Sequence, residues 1–328
     1  MTEPRLDVLA IGDAIVDVIA SAEDEFLAEE GLVKGSMRLI DADEATRLYA
    51  HMGQARETSG GSAANTMAGI AAMGGRAGFV GQVAADQLGE IFAHDIRALG
   101  VEYRTPPKGE DIPTGRCLIL VTPDGQRTMN TFAGASHTLA VDAIDAEQIR
   151  SAAILYLEAY LWVPDGPRQA MLEAIEIAHA AERKVALTLS DIACIAKRRD
   201  SFVSLIGDGS VDLLFANEQE IKALAGEPDF ERALASFETK VPLVVVTCSE
   251  KGAIAMDSGR RIHVAAAPVD KVVDTTGAGD LFAAGFLYGQ SHGRSIEDSL
   301  RLGSLAAAEI ISHFGARPEA DLKALVAA

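Results

Sequence analysis

The strongest constraint on the fold is a series of short apolar runs that do not alternate with polar residues. Val8-Leu9-Ala10-Ile11, Ala77-Gly78-Phe79-Val80, Ala153-Ile154-Leu155-Tyr156-Leu157, Lys184 to Leu189, Val211 to Ala216 and Leu243-Val244-Val245-Val246-Thr247 are such runs. A strand with no polar face must be covered on both sides, which is the situation of a parallel sheet. The cover is helical, because the stretches between most of the runs are rich in Ala, Leu and Glu. In Gln169 to Ala181, for example, Leu172, Ile175 and Ala178 recur at helical spacing. The pattern predicts an α/β fold: a doubly wound, mainly parallel central sheet flanked by helices. No fixed-period repeat or Pro/Ser linker divides the chain, so residues 1–328 read as one domain.

Two segments break the rhythm. Ser36-Met37-Arg38-Leu39-Ile40 reads as a strand, and Gly115 to Val121 continues through Pro123-Asp124-Gly125-Gln126 into Arg127 to Phe132. An Asp-Gly between two extended runs is a hairpin signal. These segments predict a small β-sheet lid, at about 14–45 and 103–135, covering a crevice at the carboxyl ends of the parallel strands.

Charge narrows the partners. Lys and Arg number 29 against 48 Asp and Glu, so 29 − 48 gives a net charge of −19. Such a surface repels phosphate backbones and anionic lipids, so neither nucleic acid nor membrane is an expected partner. No run approaches the roughly 18 uncharged apolar residues of a spanning helix. Cys117, Cys194 and Cys248 are far apart and form no C-x-x-C pair, which suits a reducing cytoplasm. Met1-Thr2-Glu3-Pro4-Arg5-Leu6-Asp7 carries acids and lacks a basic leader with an apolar core, so a cytoplasmic location is expected. The seven histidines show neither H-E-x-x-H nor paired ligand spacing, and read as core or surface residues.

The chemically richest segment is Asp274-Thr275-Thr276-Gly277-Ala278-Gly279-Asp280, which follows an extended run at Val269 to Val273 and opens a helix of small and apolar residues. Gly277-Ala278-Gly279 has almost no side chain, so its amides can approach a ligand closely and aim a helix N-terminus at an anion. A carboxylate beside such a site is an electrostatic cost, unless it accepts the proton of an attacking hydroxyl. Anion hole plus Asp280 therefore suggests phosphoryl transfer to an alcohol. The alternative is a glycine turn whose Asp caps a helix. A second run of small residues, Thr58-Ser59-Gly60-Gly61-Ser62-Ala63-Ala64-Asn65-Thr66, opens another helix. Its glycines allow close approach of a substrate, and Ser62 and Asn65 supply hydrogen bonds for hydroxyl groups.

Together these two segments resemble the signature motifs of the ribokinase-like (PfkB) family of sugar and nucleoside kinases. Gly60-Gly61-Ser62-Ala63-Ala64-Asn65 resembles the N-terminal glycine motif, and Asp274 to Asp280 the D-T-x-G-A-G-D motif. Asn217-Glu218-Gln219-Glu220 resembles the family's N-x-x-E element, and Thr247 to Gly252 stands where its nucleotide-binding turn follows a strand. The resemblance implies Asp280 as the base that frees an acceptor hydroxyl to attack the γ-phosphate of ATP. It implies Gly277, Ala278 and Gly279 as the anion hole, and Asn217 and Glu220 as organisers of Mg²⁺, largely through water. Thr247, Ser249 and Gly252 would line the ATP site. Asp274 and Thr276 match positions that bind a monovalent cation such as K⁺ in some members; the alternative for Asp274 is a turn-stabilising hydrogen bond. Family members can dimerise through the lid, so a monomer or a homodimer is expected.

For the acceptor, the run Ile11 to Ile19 carries Asp13 and Asp17. In the family an Asp here chelates vicinal hydroxyls, and Asp17 matches it; two carboxylate oxygens suit two neighbouring O–H donors. Asp13 departs from the Asn more usual at its position. Either acid could instead end a strand or cap a turn. The pattern around Asp17 and Gly60 to Asn65 is closer to adenosine kinases, so adenosine is the expected acceptor and ribose, fructose or a related sugar the alternative. A purine slot would draw on Phe132, Leu120 or Tyr160; Glu158 faces the acceptor or is an exposed loop acid; Arg127 reads as solvated. A dehydrogenase lacks its G-x-G-x-x-G after the first strand, and a P-loop NTPase its Gly-Lys-Ser/Thr. A silent nucleoside sensor would have lost the base, and Asp280 is present.

Overall fold

The apolar runs form strands because each has side chains to bury on both faces. All six residues of the first strand, for instance, are buried. The computed structural model describes residues 4–109 and 111–327; Met1 to Glu3, part of the N-terminal segment read above, lie outside them. In chain order the strands are β1 (Leu6–Ile11), β2 (Ile15–Ser21), β3 (Met37–Leu39), β4 (Ala55–Gly60), β5 (Ala77–Val80), β6 (Glu102–Tyr103) and β7 (Gly115–Val121). They continue with β8 (Arg127–Phe132), β9 (Ala152–Glu158), β10 (Lys184–Thr188), β11 (Leu213–Asn217), β12 (Leu243–Thr247), β13 (Ala253–Asp257) and β14 (Arg260–Val264).

The main sheet has the order β14-β13-β12-β11-β10-β9-β1-β5-β6. Neighbours from β12 to β6 run parallel, and β13 and β14 return antiparallel at one edge. Alternate residues build one core on each face, as the two-residue period of a strand requires. Val8, Ala10, Phe79, Phe215 and Val245 join one core, which also receives Met67, Phe282 and Phe286 from the helices Ser62–Ala72 and Ala278–Ser291. Leu9, Ile11, Leu155, Leu187 and Val244 join the other, with Met171, Phe202 and Leu224 from the helices Asp165–Ala180, Ile192–Gly207 and Glu218–Ala225. This is the doubly wound α/β architecture expected from the sequence.

The two helices that open with the glycine motifs pack directly on each other. A Cβ on Gly69 would come within 2.7 Å of Leu281 Cδ1 and 2.8 Å of the Cβ of Ala284. Small residues on both helices therefore let the axes approach, and this brings their N-termini side by side.

The second sheet has the order β3-β8-β7-β2-β4. β7 and β8 form the antiparallel hairpin, with Cys117 opposite Thr131 and Val121 opposite Arg127. Val16, Val18, Leu118 and Leu120 on one face are buried with Leu27 and Leu48 of the helices Asp24–Glu29 and Ala42–His51. Asp17, in register with Cys117, lies on the opposite face. Its five strands differ from the two predicted segments in one respect: β4 lies outside them, because Ala55-Arg56-Glu57-Thr58-Ser59-Gly60 has no apolar alternation to mark it. Tyr103, placed with the lid segment, joins the main sheet through β6. The run Ile11 to Ile19 is not one strand either. β1 ends at Ile11, and the chain crosses over Gly12 to Ala14 to start β2 in the second sheet. Val269 to Val273 pairs with no strand; the Val273 amide donates to the Ile311 carbonyl at 2.8 Å.

Candidate active site

Parallel strands bring their carboxyl ends to one edge, and side chains placed there share a crevice whatever their separation in sequence. Asp13 follows β1, Glu158 ends β9, Asn217 ends β11 and Thr247 ends β12. A cleft of about 250 Å³ opens at this edge, lined by Ser62, Asn217, Glu220, Thr247 and the run Gly277 to Asp280.

Asp280 stands in the first turn of the Ala278–Ser291 helix, behind Gly277 at its N-cap. Ser62 Oγ donates to Asp280 Oδ1 at 2.5 Å and Asn65 Nδ2 donates to Oδ2 at 2.9 Å. Burial raises the Asp280 pKa above the ordinary carboxylate value, opposed by these two donors and by the charge of Arg317. Ser62 and Asn65 thus spend donors on Asp280 instead of leaving them all for a substrate, while the buried Asn65 Oδ1 has no partner. Among the anion-hole residues, the Ala278 amide donates to the Thr275 carbonyl at 3.2 Å. A Cβ on Gly279 would stand in open space. First-turn amides of a helix lack partners within it, so the Gly279 and Asp280 amides are free to meet an anion as far as their own helix is concerned.

On the acceptor side, the glycines are steric requirements. A Cβ on Gly60 would come 2.4 Å from Asp17 Oδ1, and one on Gly61, at φ +97°, 2.2 Å from the Asp13 carbonyl oxygen. The Asp17 pKa is pushed up to about 6 by burial, against the pull of Arg317 and Arg127. Asp13 is buried, accepts from Ser136 Oγ, and lies 3.8 Å from His137 Nε2. Glu158, left open between acceptor contact and surface loop, is fully buried: Oε2 accepts from the Ala63 amide at 2.7 Å and Oε1 has no partner. Burial and the charge of Asp13 hold its carboxyl well above its usual range. Arg317, which the sequence reading missed, donates to the carbonyls of Ala64 and Ser59 at 3.0 and 2.6 Å. No motif marks it; only the return of the chain to this edge after the Ile296–Ile310 helix does.

On the opposite side of the cleft, Asn217 and Glu220 form a capping box. Asn217 Oδ1 accepts from the Gln219 and Glu220 amides, while the Asn217 amide and Nδ2 donate to the two oxygens of Glu220 at 2.9 and 2.7 Å. Burial pushes Glu220 up to about 7. Each oxygen of Glu220, which lines the cleft, accepts one hydrogen bond and keeps further acceptor capacity, so this donor set fits Mg²⁺ held through its water shell better than direct coordination. Thr247 lines the cleft, but Ser249 is exposed on the following turn. Gly252 is buried outside the lining: at φ +94° its Cβ would meet the Val264 carbonyl at 2.0 Å. The β12–β13 turn therefore requires a glycine at this position.

Asp274 and Arg127 form a buried ion pair at 2.8 Å, so Arg127 is not solvated as the sequence suggested. Asp274 Oδ1 also accepts from the Thr276 amide and hydroxyl, and Oδ2 from the Gly315 amide at 2.9 Å. Donors thus meet both oxygens of Asp274, which favours the turn-stabilising alternative over a monovalent cation on that side chain. Of the slot candidates, Leu120 pairs with Ala20 and Phe132 with Arg116, which puts both on the face away from Asp17. The reason is the period of two: odd-numbered positions of β7 share the Asp17 face, Ile119 among them. Tyr160 follows Glu158 at the main-sheet edge and packs on the second core. Among the described residues, no group of three His, Cys, Asp or Glu side chains could hold a metal, and no helix is long and apolar enough to cross a membrane.

The chain is 48% identical to the adenosine kinase from Sinorhizobium meliloti, with 98% of this chain and 99% of that one covered at a TM-score of 0.92. It is 47% identical to a probable sugar kinase from Rhizobium etli, over 99% and 98% of the two chains at a TM-score of 0.92. A guanosine-inosine kinase of Escherichia coli is 31% identical over 75% of this chain and 58% of its own length. Kinases of this kind use ATP, typically with Mg²⁺, to phosphorylate a hydroxyl of a sugar or nucleoside. The model of the pfkB family of carbohydrate kinases matches residues 7–322, and the chain belongs to that family.

Proposed function

We propose that this kinase transfers the γ-phosphate of ATP to a hydroxyl of a nucleoside, with adenosine as acceptor and AMP as product. The observation that carries the reading is the Ser62–Asp280–Asn65 constellation, which joins the acceptor-side helix to a carboxylate at the mouth of a helix N-terminus. The acceptor oxygen attacks phosphorus, its proton passes to Asp280, and the bond to the departing ADP oxygen breaks. The Gly279 and Asp280 amides, which have no partner within their helix, stabilise the charge on the transferred group without having to reorganise. Ser62 and Asn65 keep Asp280 aimed and favour its ionised form, so it remains a base despite burial. Asn217 and Glu220 would hold Mg²⁺ through its water shell, and the ion would supply positive charge against the phosphates in a protein of net charge −19. Thr247 lines the nucleotide end.

Asp17 accepts from vicinal ribose hydroxyls, and Gly60 and Gly61 leave room for it. The Asp17 face of the second sheet also carries Ile15, Ile119 and Met129, by register, as apolar cover for a base. The likeness to the Sinorhizobium meliloti adenosine kinase supports the choice of acceptor. Buried acids at Asp13 and Glu158 would equally suit a hydroxyl-rich sugar, which is the second reading. ATP consumption measured with adenosine, guanosine, ribose and fructose tests both. Preference for adenosine is expected, and preference for a free sugar overturns the acceptor while leaving Asp280 in its role.

A further inference from the structure

The segment Ser59 to Ala64 holds the acceptor side together, and one side chain grips both of its ends. Arg317 Nη2 donates to the Ser59 carbonyl at 2.6 Å and to Ser59 Oγ at 2.8 Å, and Nη1 donates to the Ala64 carbonyl at 3.0 Å. Between these anchors lie Gly60, against which the Asp17 carboxylate rests, and Ser62, which donates to Asp280. Asp95 holds the same turn from outside, accepting from the Ser59 amide at 2.8 Å and from Thr58 Oγ1 at 3.1 Å.

A neutral amide could bond two carbonyls. A guanidinium here needs another explanation, and the acids around it provide one. Arg317 forms its hydrogen bonds with neutral oxygens while its charge acts on Asp17, Asp95 and Asp280. We propose that Arg317 is a positioning residue for phosphoryl transfer: it clamps the 59–64 turn, and it is the countercharge shared by the acceptor-side acid Asp17 and the base Asp280. This rests on the roles given to Asp17 and Asp280 above.

The other groups bearing on these acids are few. Asp280 also meets Ser62 and Asn65, with Asp17, Glu158, Tyr156 and Tyr160 near enough to feel its charge. Asp17 feels the charges of Arg127 and Asp280 as well as that of Arg317, and stands opposite Cys117 across the strand pair. Removing the Arg317 charge leaves these acids with less to favour ionisation, so both should titrate at higher pH. A role confined to bonding the backbone would leave their titration where it is.

The test compares Arg317→Gln and Arg317→Lys with the unaltered protein from pH 5 to 9. It uses ATP and whichever of adenosine, guanosine, ribose and fructose consumes ATP fastest. Arg317→Gln should move the acidic limb of kcat/KM and of kcat upward by roughly one pH unit, the size of effect that a nearby opposite charge has. Arg317→Lys keeps the charge but cannot fork two carbonyls. Its limb should stay in place while its acceptor KM rises roughly tenfold or more through lost positioning. Coincident limbs in Arg317→Gln and the unaltered protein overturn the proposal. If instead Asp280→Asn turns over normally, the reading of the base fails, and this inference with it. Thermal unfolding without substrate provides a second, independent measurement. The melting-temperature gap between the unaltered protein and Arg317→Gln should be widest near pH 8 and narrow toward pH 4 as the acids protonate. A gap that does not vary with pH overturns the countercharge.

Discussion

Asp17→Asn should make the protein more stable and a much poorer kinase, and the size of the gain follows from the site. Burial moves Asp17 from 3.8 to about 6 even with Arg317 and Arg127 nearby. The fold therefore disfavours the ionised carboxylate by about 2 pH units, or roughly 3 kcal/mol at about 1.4 kcal/mol per unit. The sign is that of a raised acid. Below pH 4 the carboxyl is protonated in both folded and unfolded chains and costs nothing. Between pH 4 and 6 the unfolded chain releases the proton first, so stability falls as pH rises; above 6 the cost is complete. An isosteric amide carries no such cost. In thermal unfolding, Asp17→Asn should gain roughly 5 °C over the unaltered protein at pH 8, taking about 2 °C per kcal/mol for a chain this long. The gain should vanish at pH 4. Acceptor kcat/KM should drop about a hundredfold, since two hydrogen bonds to a charged acceptor are lost at about 1.5 kcal/mol each. A variant no more stable than the parent at pH 8, or one whose gain is the same at pH 4, would refute the reasoning, because Asp17 would then not be a charge held against the preference of the fold.

Three further changes probe other parts of the site. Asp280→Asn should cut turnover by several powers of ten while leaving acceptor affinity, measured by calorimetry, within a few-fold. Gly60→Ala would place a methyl 2.4 Å from Asp17 Oδ1 and should raise the acceptor KM at least tenfold with little change in the KM for ATP; equal effects on both would argue against Asp17 as an acceptor contact. Arg127→Met leaves Asp274 buried without its cation and should cost about 3 kcal/mol in urea unfolding, whereas a loss near zero would mean that the pair is open to water.

How legible was this in the sequence? The parallel sheet was, because Leu6–Ile11 or Leu243–Thr247 can be satisfied only between two helical layers. The β7–β8 hairpin was, because Asp124-Gly125 admits few other turns. β4 was not: its side chains are polar, and its place is set by pairing with β2, a contact no local pattern encodes. The same holds for the site. Asp280, Ser62 and Asn65 stood out through their glycine-rich surroundings. Glu158 and Arg127 did not, since whether an acid or an arginine at a strand end faces water or its counterpart depends on what the rest of the chain lays over it. Leu120 and Phe132 were assigned to the wrong face because composition reveals that a strand is apolar and register decides which way it points. Arg317 had no local mark at all.

The close approach of the two glycine-motif helices has a consequence for anyone altering this enzyme. Gly69 is not among the residues that line the cleft, yet any side chain there would drive into Leu281 and Ala284 at less than 3 Å. The gap between Ser62 and Asp280 is thus gauged two turns along from Ser62, at a buried helix crossing. Engineering aimed only at pocket walls would leave that gauge untouched, while a single methyl at the crossing would reset the reach of the base without meeting a substrate.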